Sequence, residues 1–329
     1  MPTRTYTVEQ RNASGLPTVH LADQARGIQV SILPSLGNRT YEIRVHGENL
    51  LHFPFDDPAA AQNDRHLNGI PFLAPWANRM PDGFRANGRH YAFNPGLDGV
   101  RLDQNGISIH GLLWASKLWE VVNVDADESS AHVTSRLEFW RYPDLMANWP
   151  FAHEYEMTHR LANGALEVSV RIANRSAAPM PVAVGFHPYF QLPGIPLEEC
   201  VATIPVRRHV DTDSRLVPTG QTTPVDFTGE VRLKDRRFDD GFTDLIRGAD
   251  GRTVFAVAGG GRKIEVTFGS RYPVAIIFAP PGQNYICFEP MAALTNGINL
   301  AAEGKYPELQ TIPAGGEWRE SFLVRPEGF

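Results

Sequence analysis

Cysteine is almost missing from this chain: Cys200 and Cys287 are the only two in 329 residues. Two thiols cannot build a disulfide framework or a four-thiolate zinc site, and the compartment this predicts is the cytoplasm. Long apolar runs are missing too. Nothing approaches the ~18 residues a membrane helix needs, and the opening MPTRTYTVEQ lacks the charged-then-apolar layout of a signal peptide. Charge of one sign is not in surplus: 31 Lys+Arg against 37 Asp+Glu give a formal −6, whereas a nucleic-acid surface is usually clearly basic. No G-x-S-x-G, no P-loop and no G-x-G-x-x-G after a strand occurs, so nucleophile-elbow and nucleotide-binding chemistry have no motif to stand on. The expected partners therefore include neither nucleic acid nor membrane, no cofactor is implied, and oligomeric state is not legible.

Glycine and proline, by contrast, are plentiful. With 29 and 26 copies they make up about 17% of the chain, against an average near 12%, which favours many short strands over long helices. Period-two alternation is the dominant local pattern. In 165–172, Leu166, Val168, Val170 and Ile172 point one way and Glu167, Ser169 and Arg171 the other, as in a strand with one dry face. Stretches 5–10, 28–33, 40–45, 119–124, 132–139, 154–161, 201–206, 263–268, 274–278 and 318–324 behave alike. Turn signals such as Asn163-Gly164 and Asp250-Gly251 lie between them. Gly259-Gly260-Gly261 reads as a hairpin loop. Only 58–65 and 291–294 suggest short helices. A dozen strands without intervening helices exclude Rossmann and TIM-type folds, and no 40–50-residue repeat supports a propeller. The prediction is all-β: a large antiparallel β-sandwich forming one domain over 1–329, with no composition shift to mark a linker. The irregular region 68–99 carries Phe72, Trp76 and Phe84, which favours function over disorder.

His153-Glu154 followed by His159 superficially suggests a zinc site. On a strand, residues six apart share a face but lie about 20 Å apart, too far for one ion. They are expected to be surface histidines, and no metal site is predicted.

Four segments embed polar or titratable groups in apolar, Gly/Pro-rich surroundings: Pro75-Trp76-Ala77-Asn78-Arg79, Gly106-Ile107-Ser108-Ile109-His110-Gly111-Leu112-Leu113, Val184-Gly185-Phe186-His187-Pro188-Tyr189-Phe190 and Ile286-Cys287-Phe288-Glu289-Pro290-Met291. Burial raises the pKa of a carboxylate and lowers that of an imidazole, bringing a Glu–His pair towards proton exchange near neutral pH. Each group taken singly is more often a hydrogen-bonded core residue; their joint presence in one all-β chain is what points to a site.

In this order, from about residue 27 to 324, these segments resemble the aldose 1-epimerases, or galactose mutarotases. The resemblance implies a single large antiparallel sandwich, a groove that takes a small-molecule sugar, and chemistry without a metal. It assigns Glu289 as general base, His187 as general acid and His110 as a second histidine near the ring oxygen. Arg79 with Asn78 matches the motif that holds sugar hydroxyls. Asp239, with Asp240 and Asp244 close by, matches the substrate-binding aspartate. Trp76 offers an aromatic face to the sugar, with core packing as the equal alternative.

Mutarotation suits such residues. The C1 hydroxyl loses a proton while the ring oxygen gains one, the C1–O5 bond breaks, the aldehyde rotates, and the ring closes on its other face. One base and one acid, each able to take the other's role, suffice. The expected picture is a glutamate and a histidine meeting across a carbohydrate ring. The alternatives are a carbohydrate-binding sandwich without catalysis, a hexose-6-phosphate 1-epimerase using cations such as Arg79 and Arg85, a non-haem metal enzyme, and a glycosidase, which would need two carboxylates.

Overall fold

A computed structural model describes residues 5–329 apart from Arg65 and Asp98. About 49% of the chain is strand and 7% helix, and every ladder between named strands in the described residues is antiparallel. The architecture is the expected all-β one. A nine-stranded sheet is ordered Glu120–Ala126, Ala131–Glu138, His153–Ala162, Ala165–Asn174, Glu317–Glu327, Arg262–Phe268, Thr253–Gly259, Val201–Thr203 and Glu230–Arg232. An eight-stranded sheet runs Pro218–Pro224, Val206–Thr212, Phe238–Leu245, Val274–Ala279, Ile286–Met291, Gly185–Phe186 and Phe72–Leu73, with Tyr189–Phe190 also paired to Ile286–Met291. The segment Tyr6–Asn49 adds a five-stranded meander.

The two large sheets pack face to face through aromatic side chains. Phe186 meets Phe322 at 4.9 Å between ring centroids, Phe72 meets Tyr155 at 5.5 Å, and Phe288 meets Phe255 at 5.8 Å. Such contacts combine large apolar burial with favourable ring geometry. Successive residues on a strand face opposite ways, so the neighbours of these inward rings lie on the outer face of the eight-stranded sheet.

Several local expectations need correction. Strand Ile286–Met291 was not among the alternating stretches because all six of its residues are buried, and a strand covered on both faces loses its period. The expected helix at 58–65 is a 3-10 turn over Pro58–Asn63, Arg65 lying outside the described residues, while 291–294 is not helical. Among the described residues the α-helices are instead the short Pro143–Asn148 and Gly297–Ala302. His153 and His159 are not on the surface: they occupy the buried face of His153–Ala162 with Tyr155 and Met157. His153 donates from Nδ1 to the Phe151 carbonyl at 2.6 Å. Among the described residues no group of three or more His, Cys, Asp or Glu could hold a metal ion, and no helix is long and apolar enough to cross a membrane. Gly260 and Gly261 form the predicted hairpin turn, both at positive φ, as a two-residue turn of the primed type requires.

Candidate active site

Two dipeptides, Phe186-His187 and Phe288-Glu289, place the central groups. In each the phenyl ring is driven into the space between the sheets, so the next residue faces the other way. His187 and Glu289 consequently meet on the outer face, with His187 Nε2 3.3 Å from Glu289 Oε1. Both side chains are nearly inaccessible, at 8% and 1%. The His110 ring lies edge-on to that of His187 at 5.7 Å, and Tyr189 stacks on His187 at 4.5 Å with a 3° tilt.

Burial governs the electrostatics. It pushes the Glu289 carboxyl well above its ordinary range, and the Asp239 carboxylate adds to the effect. Burial, with the Arg101 charge, pushes His187 down to about 3. His110 is lowered by burial and then by His187, Arg101 and Arg79. A dry environment penalises each charged form, so burial favours a carboxylic acid beside a neutral imidazole over the carboxylate–imidazolium pair. Glu289 Oε2 and His187 Nδ1 are buried without hydrogen-bond partners in the described residues.

The other two segments form a short ladder beside this pair. Arg79 pairs with Ile109 and Met80 with Ser108, and the His110 N–H donates to the Asn78 carbonyl at 3.0 Å. Asn78 and His110 both adopt left-handed backbone, with φ of 55° and 66°. Such conformations in non-glycine residues persist only where their surroundings enforce them, and they cluster at functional sites. Asn78, Arg79 and Asp239 line one cleft with Ile276, the cross-strand partner of Glu289. Its free volume is about 40 Å³, and it is partly open to solvent.

This geometry sets the comparisons with known proteins. The sequence model for the aldose 1-epimerase family matches residues 18–325. The chain belongs to the aldose 1-epimerase family. Solved structures carry the same fold: a galactose mutarotase-like protein from Clostridium acetobutylicum is 21% identical over 99% of both chains, with a TM-score of 0.87. A galactose 1-epimerase from Lactobacillus acidophilus NCFM is 16% identical over 99% of both chains, TM-score 0.77. An aldose epimerase homologue from C. elegans is 15% identical over 98% of this chain and 99% of that one, TM-score 0.71. At these identities the likeness is one of fold.

Within this aldose 1-epimerase family member, the structure gathers His110, His187 and Glu289, and sets Asn78, Arg79 and Asp239 beside them. Trp76 is the exception. It is fully buried, stacked on Phe93 at 4.2 Å and near Trp149 at 6.1 Å, and has no face to offer a sugar. The pull of an aromatic cluster outweighs its position three residues before Arg79. Arg85 lines a different cleft from Arg79, so the cation pair considered for a phosphate does not assemble. Three neighbours escaped sequence reading. Tyr189 follows His187 by two, the same-face spacing of an extended strand. Arg101 acts electrostatically on both histidines. Asp103 bonds Arg79 Nε through Oδ2 at 2.7 Å, and its only sequence signal is the turn Asp103-Gln104-Asn105-Gly106.

Proposed function

We propose that this family member is an isomerase that interconverts the α and β anomers of an aldose. The observation that carries this reading is the buried 3.3 Å contact between His187 Nε2 and Glu289 Oε1. In a cyclic hemiacetal the two oxygens that exchange protons, O1 and O5, are bonded to the same carbon. An acid and a base that act on both must therefore be neighbours. The contact replaces the picture of two groups facing each other across the ring: the C1 edge of the sugar rests against both at once. Because the cleft is narrow, the ring lies across its mouth, where Asp239 is exposed.

Shifting the proton from Glu289 to His187 gives a carboxylate and an imidazolium. Glu289 takes the O1 proton, and its unpartnered Oε2 is the available atom. His187 donates to O5, the C1–O5 bond breaks, and its electron pair goes to O5 as C1=O1 forms. The pair returns to its neutral form with the open-chain aldehyde in place. After rotation about C1–C2 the same transfers run backwards and close either face. His110, beside His187, is the second imidazole at the ring-oxygen side. Arg79, Asn78 and Asp239 take the sugar hydroxyls, where charged donors and acceptors give strong, directional bonds. The chemistry needs no covalent intermediate.

Polarimetry of freshly dissolved α-D-glucose and α-D-galactose tests this. The wild type speeds the optical relaxation, and Glu289→Gln loses about 10²–10⁴-fold of that rate, the worth of one positioned proton transfer. A Gln variant that relaxes either sugar as fast as wild type removes Glu289 from this role.

A further inference from the structure

Asp103 serves both halves of the site. Its Oδ1 accepts the backbone N–H groups of Asn105 at 2.8 Å and Ile107 at 3.0 Å. The Asp103 N–H donates to the Ile107 carbonyl at 2.8 Å, and the Gly106 N–H to the Asp103 carbonyl at 3.0 Å. These bonds tie 103–107 into a tight turn that leads directly into Ser108-Ile109-His110. The second carboxylate oxygen, Oδ2, accepts from Arg79 Nε at 2.7 Å. Burial alone would raise this carboxyl, but the Ile107 N–H and Arg79 outweigh it and hold it below its ordinary range, so Asp103 is anionic at neutral pH. The Nη nitrogens of Arg79 make no hydrogen bond within the described residues, and Arg79 lines the cleft. A guanidinium gripped at Nε presents its Nη hydrogens as a fixed fork. A free arginine would instead sample many rotamers, and ordering them on binding costs affinity.

We propose that Asp103 is a positioning residue that sets the sugar-binding fork of Arg79 and, through its turn, the placement of His110. This rests on the reading of Arg79 as a sugar ligand given above.

Asp103→Asn separates the two tasks. The Asn Oδ1 still accepts the turn's N–H groups, but its uncharged amide no longer grips Arg79. The expected result is a KM for the aldose raised about tenfold or more, with kcat within about threefold. In a ¹⁵N spectrum, the Arg79 Nε–H signal, assigned by its loss in Arg79→Lys, shifts and exchanges faster with water. Asp103→Ala also frees the turn, and its kcat falls at least tenfold as His110 moves. An Asn variant whose Arg79 Nε–H signal stays where the wild type's is overturns the proposal, whatever its KM. A signal that moves while KM does not upholds the grip and removes Arg79 from sugar binding. A wild type that accelerates no aldose defeats the proposed function, and the Nε–H signal still decides the role of Asp103.

Discussion

Replacing Gly111 by alanine puts the joint between the binding and proton-transfer segments under direct test. Gly111 has φ of +66°, and a Cβ there would lie 2.2 Å from the Ala74 carbonyl oxygen, 2.5 Å from its carbon and 2.8 Å from the Trp76 carbonyl oxygen. All three are backbone atoms, and the Ala74 carbonyl is held by the Leu112 and Leu113 N–H groups, which both donate to its oxygen at 2.7 and 3.1 Å. The left-handed backbone alone costs an alanine about 1–2 kcal/mol, and overpacking adds about 1–3 kcal/mol. The sum is about 2–5 kcal/mol, a large share of a typical stability of 5–15 kcal/mol. Relief comes only by pushing 107–113 away from 74–80, which separates His110 from Arg79. A displacement near 1 Å costs about 10²-fold in rate. Gly47→Ala is the control: its φ is +91°, but nothing lies within 4 Å of the added Cβ, so it carries the conformational cost alone. Urea unfolding followed by tryptophan fluorescence, with polarimetry on the folded variants, reads both effects. If Gly111→Ala matches Gly47→Ala in midpoint and wild type in rate, the close packing of these segments does not govern the site.

Acid should weaken the fold through its buried histidines. His153 and His159 are held down to about 4 and about 3 by burial, and His187 to about 3. Below pH 6.5 the unfolded chain binds protons that the folded chain refuses, so stability falls as pH drops from 6.5 towards these values, by about 1.4 kcal/mol per unit for each group. Glu289 and Asp239, both raised by burial, act with the reverse sign, but the three histidines outnumber them, leaving a net loss on acidification. Urea midpoints at pH 7, 6 and 5 check it, and a flat series refutes it. Trp76→Leu should cost about 3 kcal/mol as a core truncation yet leave KM within about twofold. A large rise in KM with little change in stability would return Trp76 to the binding surface.

The strands were legible where apolar and polar residues alternate strictly, whereas Phe238–Leu245 and Thr253–Gly259, which carry exposed positions but do not alternate, were missed. The alternation in 132–139 and 165–172 matches Ala131–Glu138 and Ala165–Asn174, because period-two patterning records which side a residue faces. It failed where both faces are covered, as in Ile286–Met291. It also could not say which face of His153–Ala162 was the dry one for its histidines.

Chain order and local chemistry thus determined an all-β fold and the residue types of the site. Three-dimensional packing alone decided distances and company. A separation of 102 residues collapses to 3.3 Å between His187 and Glu289, Asp103 reaches back 24 residues to Arg79, and Trp76 turns into an aromatic cluster. Each depends on how sheets and loops stack. A side chain's local sequence encodes its direction from the backbone, whereas its partner is whatever the rest of the chain brings to that side.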